Sequence, residues 1–151
     1  MPRWGSGRTR GLRAVELRVP ARTEALAVVR AMTGTLANYE ELDGDIAADL
    51  ALAVDEACTV LIGIAAEGAT LVLVEDPRAH DVNVRVSAAC DAPEGDPANV
   101  TLSGFSRRVL EALTDKVGTF SEGTDFEEGD SDGPVFGISL TIRRRWASAG
   151  R

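Results

Sequence analysis

The sequence predicts an α/β two-layer sandwich, in which a mixed, largely antiparallel sheet carries three helices on one face. Segments with the alternating apolar residues of strands occur once near the start and then in two later pairs. Three segments with helical apolar spacing lie between them, which gives the order β-α-α-β-β-α-β-β. Only the first part of that order could form a crossover unit, and hairpins join the rest.

One strand and two helices are predicted in the first part of the chain. The segment AVELRVP (14–20) alternates apolar and polar residues and ends at a proline, which indicates a strand. A helix is predicted over 23–37, with Thr23 as its N-cap and an apolar face of Leu26, Val29, Met32 and Leu36. A longer helix is predicted from about 46 to 66, capped by Asp43 or Asp45. Its continuous apolar stripe contains Ile46, Leu50, Val54, Ala57, Leu61 and Ile64.

The second half begins with a predicted hairpin. Its strands are ATLVLVED (69–76) and DVNVRVSAAC (81–90), separated by the turn PRAH. An irregular, turn-forming segment follows at 91–104. A helix is predicted over 105–117, with an apolar face of Phe105, Val109, Leu110 and Leu113. A strand that starts at Thr119, an acidic loop over 124–133 and a final strand over 134–144 follow it.

The length of 151 residues is typical of one domain, which we predict over residues 13–145. A disordered basic tail over 1–12 and a short tail over 146–151 flank it. No apolar run approaches the roughly 18 to 20 residues that cross a bilayer. The basic start contains no apolar segment of the secretory type, so a cytoplasmic protein without a membrane partner is predicted.

Charge and cysteine content narrow the function classes. The net charge of −8 argues against direct nucleic-acid binding, since duplex binding depends on neutralising phosphates. Cys58 and Cys90 are far apart and form no CxxC pair, so they define neither a disulfide framework nor a zinc site, and no metal site is predicted. Two interpretations of these cysteines remain open: small buried residues or a redox role.

Glu56 interrupts the apolar run LALAVDEACTVLIGIA (50–65). One interpretation places this carboxylate at the edge of the buried helix face, in contact with water. The other makes it a general base at the mouth of a pocket between helices and sheet. An asparagine four residues on would share its face and could help to hold Mg²⁺, but that position is Val60.

The segments VELRVPARTEALAVVRAMTG and DIAADLALAVDEACT are similar to the first strand and two helices of the anti-sigma factor serine kinases. These proteins belong to the GHKL ATPases, the family shared with gyrase, Hsp90 and histidine kinases. The resemblance covers about 15–144 and is greatest to the mycobacterial and actinobacterial anti-sigma-F branch. It implies the Bergerat-type ATPase fold.

The family's first ATP motif is a glutamate that acts as the base, followed four residues on by an asparagine that holds Mg²⁺. Glu56 matches this glutamate, and Thr59 matches the threonine that precedes the asparagine. Val60 replaces the asparagine itself. The resemblance therefore implies a vestigial general base without the metal ligand, and phosphoryl transfer depends on that metal.

The two glycine motifs of the family are also reduced. The segment DAPEG keeps Asp91 and Gly95 of the adenine-binding motif, and Gly104 is the one glycine kept from the phosphate-binding motif. Arg107 and Arg108 follow it and could bind phosphate directly. The resemblance thus implies a degenerate nucleotide site that binds ATP or ADP weakly, with Mg²⁺ only alongside ATP.

Three functions are compatible with the sequence. The resemblance implies a binding switch that sequesters an alternative, stress-type sigma factor and is released by an anti-anti-sigma antagonist. The alternative is an active serine kinase that phosphorylates that antagonist. Without the resemblance, a small α/β ligand-binding or scaffold domain fits equally. The resemblance further implies a homodimer, with Glu24 and Arg30 of the first helix as candidate partner contacts.

Overall fold

The described part of the chain forms five strands and three helices in the predicted order. The computed structural model describes residues 13–91, 102–122 and 134–144. The elements are β1 (Val15–Pro20), a 3₁₀ turn (Thr23–Ala25), α1 (Leu26–Tyr39), α2 (Gly44–Ile64), β2 (Thr70–Pro77), β3 (Asp81–Ala89), α3 (Gly104–Leu113), β4 (Lys116–Glu122) and β5 (Val135–Arg143).

The strands form one sheet in the order β1-β2-β3-β5-β4. Every neighbouring pair in the described part is antiparallel, so the mixed sheet that we predicted is wrong in this detail. The reason lies between β1 and β2. Two helices rather than one connect these strands, and β2 returns beside β1 in the opposite direction.

The core lies between the sheet and the helices. Five members of the predicted α2 stripe are buried and Ile64 is partly buried against them; the five are Ile46, Leu50, Val54, Ala57 and Leu61. They pack in the same cluster as buried side chains of the central strands, among them Leu73, Val84, Ile138 and Leu140. Apolar burial of this kind is the main stabilising term of a domain. The predicted two-layer α/β sandwich is confirmed.

Several predicted helix ends are wrong. Thr23 begins the 3₁₀ turn rather than capping α1, whose N-cap position is Ala25. Asp43 occupies the N-cap position of α2, but its side chain makes no capping hydrogen bond. Leu113 ends α3, and β4 begins at Lys116, inside the segment predicted as helix. Pairing of β4 with β5 draws these residues into the sheet and overrides their local helical pattern.

The predicted inner face of α3 is partly wrong. Leu110 is buried and Leu113 partly buried, but Phe105 is 75% exposed. Ser106 is buried in its place. The helix is therefore rotated by about one residue from the orientation that its apolar pattern favours.

None of the described helices is long and apolar enough to span a bilayer. The predicted tails, the acidic loop over 124–133 and Gly95 lie outside the residues that the structure describes.

Candidate functional site

Glu56 lies on α2 where this helix contacts α3. Its side chain is half-buried, and Oε2 accepts a 2.8 Å hydrogen bond from the hydroxyl of Ser106. The apolar stripe of α2 places Glu56 here, because Ala57 and Cys58 are fully buried beside it. The carboxylate is thus neither free in water nor in the apolar core, and it joins two helices.

The first turn of α3 holds Ser106 in position. Ser103 is the N-cap of this helix, and its hydroxyl accepts a 3.2 Å hydrogen bond from the backbone N–H of Ser106. The Ser103 carbonyl accepts a second one from Arg107 N. A serine N-cap satisfies backbone donors that a helix start otherwise leaves unpaired. Ser106 is consequently fixed both through its backbone and through Glu56.

The described residues around Glu56 do not fit Mg²⁺-nucleotide. Val60 is partly buried against the core and has no atom that could ligate a metal. The hydroxyl of Thr59 donates a 2.8 Å hydrogen bond to the Asp55 carbonyl of its own helix. One oxygen of the Glu56 carboxylate is already bonded to Ser106. We therefore derive no catalytic step through a metal or nucleotide.

The predicted phosphate-binding residues are only partly brought together. Gly104 is the first residue of α3, two positions before the serine that contacts Glu56. A Cβ at Gly104 would meet no atom within 4 Å, so the described backbone makes no close approach that requires glycine there. Arg107 lies 3.8 Å from Glu111 of the same helix, and Arg108 is exposed. Asp91 is exposed after β3.

The two predicted partner contacts on the first helical segment are exposed. Glu24 lies in the 3₁₀ turn, 3.5 Å from Arg22. Arg30 lies on α1 and donates a 2.7 Å hydrogen bond to Asp55 of α2, which raises the pKa of its guanidinium. A partner that uses Arg30 would therefore have to share it with Asp55.

Both cysteines are core residues. Cys58 and Cys90 are at most 1% exposed. Burial raises the pKa of Cys58 to about 12 and also raises the pKa of Cys90. The thiolate is the reactive form of cysteine, so these neutral, buried thiols have the properties of small apolar residues.

Glu75 is a further candidate residue that was not predicted from the sequence. This residue lies on β2, is fully buried, and accepts a 2.6 Å hydrogen bond at Oε2 from the hydroxyl of Thr33 on α1. Its other oxygen, Oε1, has no hydrogen-bond partner among the described residues. A signal was present, because Glu75 follows Leu71 and Leu73 with the period of two that marks the buried face of a strand.

No protein-family model matches the chain. The chain is 51% identical over 142 residues to the anti-sigma-F factor RsbW of Mycobacterium tuberculosis strain CDC 1551 / Oshkosh. The identity to the anti-sigma-F factor RsbW of strain ATCC 25618 / H37Rv is the same. Each alignment covers 94% of this chain and 80% of the relative.

Proposed function

The chain belongs to the family of the anti-sigma-F factor RsbW, and we propose that it sequesters an alternative sigma factor of the sigma-F type. The observation that carries this proposal is the 51% identity, which extends over 94% of the chain. At this similarity the two proteins share the fold, which supports a shared mode of partner binding. The net charge of −8 suits a basic protein partner.

The alternative function, ATP-dependent phosphorylation of the antagonist, is not favoured. A kinase of this type needs a carboxylate base that can reach the substrate hydroxyl, and a metal that positions the phosphates. Here the carboxylate of Glu56 is bonded to Ser106, and Val60 supplies no ligand. Any nucleotide binding that remains is expected to be weak, of ATP or ADP, with Mg²⁺ only as part of Mg²⁺-ATP.

We further propose an antagonist, a homodimer and a cytoplasmic location for this chain. An anti-anti-sigma protein competes for this chain and releases the sigma factor. The chain acts in the cytoplasm as a homodimer, and the exposed side of the first helical segment, including Glu24 and Arg30, contributes to partner contact. The exposure of both side chains supports this placement.

An in-vitro transcription assay tests sequestration directly. Core RNA polymerase is mixed with a sigma-F-type factor, and purified chain is added without nucleotide. We expect transcription to stop at about one chain or one dimer per sigma factor, while transcription with the housekeeping sigma factor continues as the matched control. Full transcription in the presence of a tenfold excess of chain would refute sequestration.

A second assay separates the switch from the kinase. The chain is incubated with labelled ATP, Mg²⁺ and the anti-anti-sigma protein. We expect no transfer of label. If the wild type labels the antagonist and the Glu56→Ala variant does not, the chain is an enzyme.

A further inference from the structure

Glu75 is a buried carboxyl group that the proposed function does not use. It lies on the face of β2 that the helices cover, where its neighbours on both adjoining strands are apolar: Val15 of β1 and Val84 of β3. The next residue, Asp76, accepts a hydrogen bond from Arg78, and the alternation of the strand turns it to the opposite face. The sheet therefore offers Glu75 no counter-charge from these positions.

The helices offer Glu75 one polar contact. Thr33 of α1 is 1% exposed and makes the 2.6 Å hydrogen bond. On α2, Cys58 faces the carboxyl group. This thiol is neutral, because burial raises its pKa most and the charges of Asp55 and Glu75 raise it further. Asp55 itself is paired with Arg30 of α1. The Arg30 guanidinium is therefore already paired with Asp55. Its side chain is 59% exposed, at the edge of the helical layer.

The Thr33–Glu75 hydrogen bond joins α1 to the sheet. α1 packs mainly against α2 and has little direct contact with the strands. Its buried side consists of apolar residues with Thr33 at the centre; the apolar ones are Leu26, Val29, Leu36 and Ala37. The position of α1 over the sheet therefore depends on a polar contact as well as on apolar packing.

The geometry suits a neutral carboxyl group. The 2.6 Å hydrogen bond from Thr33 stabilises a carboxylate, but it satisfies only one of the two oxygens. An ionised carboxylate would leave a charged, unpaired Oε1 in the core, which is far more costly than leaving an uncharged carboxyl oxygen there. Burial raises the pKa of Glu75 to about 7, in agreement with this geometry.

We propose that Glu75 is a proton-controlled latch, whose protonated carboxyl group fastens α1 to the sheet and whose ionised form favours separation of α1. In the closed arrangement Thr33 and the carboxyl group share a hydrogen bond in the core. In the open arrangement water reaches the carboxylate. The latch belongs to the chain itself and acts whether or not a sigma factor is the partner.

The direction of the pH effect follows from proton binding. The closed state keeps its proton up to a pKa of about 7, whereas a hydrated carboxyl group loses it above the ordinary value of 4.5. Opening therefore becomes more favourable as pH rises between these values, and the effect levels off above about 7. Between pH 5 and pH 8 the opening equilibrium of α1 is expected to increase roughly 70-fold.

Hydrogen exchange of the α1 amides tests the latch. Exchange is measured between pH 5 and pH 8 and divided by the intrinsic rate at each pH, which leaves the opening equilibrium. We expect protection of α1 to fall by roughly that factor and to remain below the protection of β3 and β5 at every pH, because α1 opens without the rest of the fold. Glu75→Gln keeps a hydrogen-bonding group and cannot ionise, so its α1 protection should not change with pH. Glu67→Gln, an exposed position in the turn before β2, is the matched control and should behave as the wild type.

Three results would overturn the latch. They are α1 protection that does not change with pH, an equal change in Glu75→Gln, and α1 protection equal to that of β3 and β5, which would mean that α1 opens only by global unfolding. If Glu75→Gln does not fold, the carbon-13 NMR titration of the Glu75 carboxyl group in the wild type decides instead. A midpoint near 7 supports the latch, and one near 4.5 contradicts it.

Discussion

The hydroxyl of Ser106 donates a 2.8 Å hydrogen bond to the Glu56 carboxylate and so joins α3 to α2. In an active kinase of this family that carboxylate would face a substrate. Here it has a structural partner, and the hydrogen bond is part of the contact between two helices. Glu56 therefore has a measurable role in stability that does not depend on nucleotide.

A double-mutant cycle measures this role. Ser106→Ala and Glu56→Ala are made singly and together, and the free energy of unfolding is taken from urea titrations. Because the hydrogen bond involves a charged acceptor and is partly buried, the coupling energy is expected to be about 1 to 2 kcal/mol. Strictly additive effects of the two substitutions would contradict an energetic contact.

The same contact predicts how the site responds to repair. Val60→Asn supplies a metal ligand but leaves the Ser106 side chain in the first turn of α3, beside the segment that would bind the phosphates, so we expect little gain in Mg²⁺-ATP affinity from this change alone. The double variant Val60→Asn/Ser106→Gly also removes this side chain and should bind measurably tighter. Isothermal titration with ATP and ADP, with and without Mg²⁺, compares the variants. An equal gain in the single variant would show that Ser106 does not restrict the site.

Gly137 on β5 makes a close contact with an aromatic ring on the outer face of the sheet. A Cβ at this position would overlap the ring of Phe120 on β4, and the Arg85 guanidinium lies 4.0 Å from the centroid of that ring. Gly137→Ala should displace the ring and lower the free energy of unfolding by about 1 to 3 kcal/mol. Gly118→Ala is the matched control on β4, since a Cβ there meets nothing within 4 Å. Equal losses in the two variants would argue against the contact.

Glu40, directly after α1, contacts the residues that flank the first and the last strand. Its carboxylate accepts hydrogen bonds from Arg13, before β1, and from Arg144, after β5. Arg144 is 14% exposed and Arg13 57%. Because the more buried pair is less screened by solvent, Arg144→Ala should lower the free energy of unfolding by about 1 to 3 kcal/mol, and Arg13→Ala by less.

These guanidinium contacts also lower the pKa of Glu40 below its ordinary value of 4.5. The contribution of the pair to stability is therefore fully present above pH 4.5 and is lost as pH falls through the lowered pKa. The difference between wild type and Arg144→Ala in urea titrations should shrink in this acidic range. A difference that stays constant with pH would mean that the arginine acts through packing alone.

The sequence predicts the long elements well because their patterns repeat. The stripe of α2 recurs over many turns, so small errors in spacing cancel and its buried residues are confirmed. α3 has only ten residues, and its pattern could be fitted with Phe105 inside or with Ser106 inside. A hydrogen bond to a residue fifty positions away stabilises the second arrangement, and local spacing carries no information about it.

The candidate site could be predicted only in part for the same reason. The resemblance predicts Glu56 as a vestigial base, but it contains no information about the hydrogen bond from Ser106. Glu75 shows the opposite case. Its burial could be deduced from the alternation of β2, whereas its partner Thr33 comes from a helix forty-two positions away and is visible only in the fold.

The most direct test of the proposed function is isothermal titration of the purified chain with a sigma-F-type factor, with and without Mg²⁺-ATP. If the chain is a sigma-binding domain, binding is expected to be saturable, with a fixed stoichiometry. It should not require nucleotide. Glu56→Gln should leave this affinity within a factor of about two, because the carboxylate contacts α3 rather than the partner. No binding at micromolar concentrations, or binding that appears only with Mg²⁺-ATP, would contradict it.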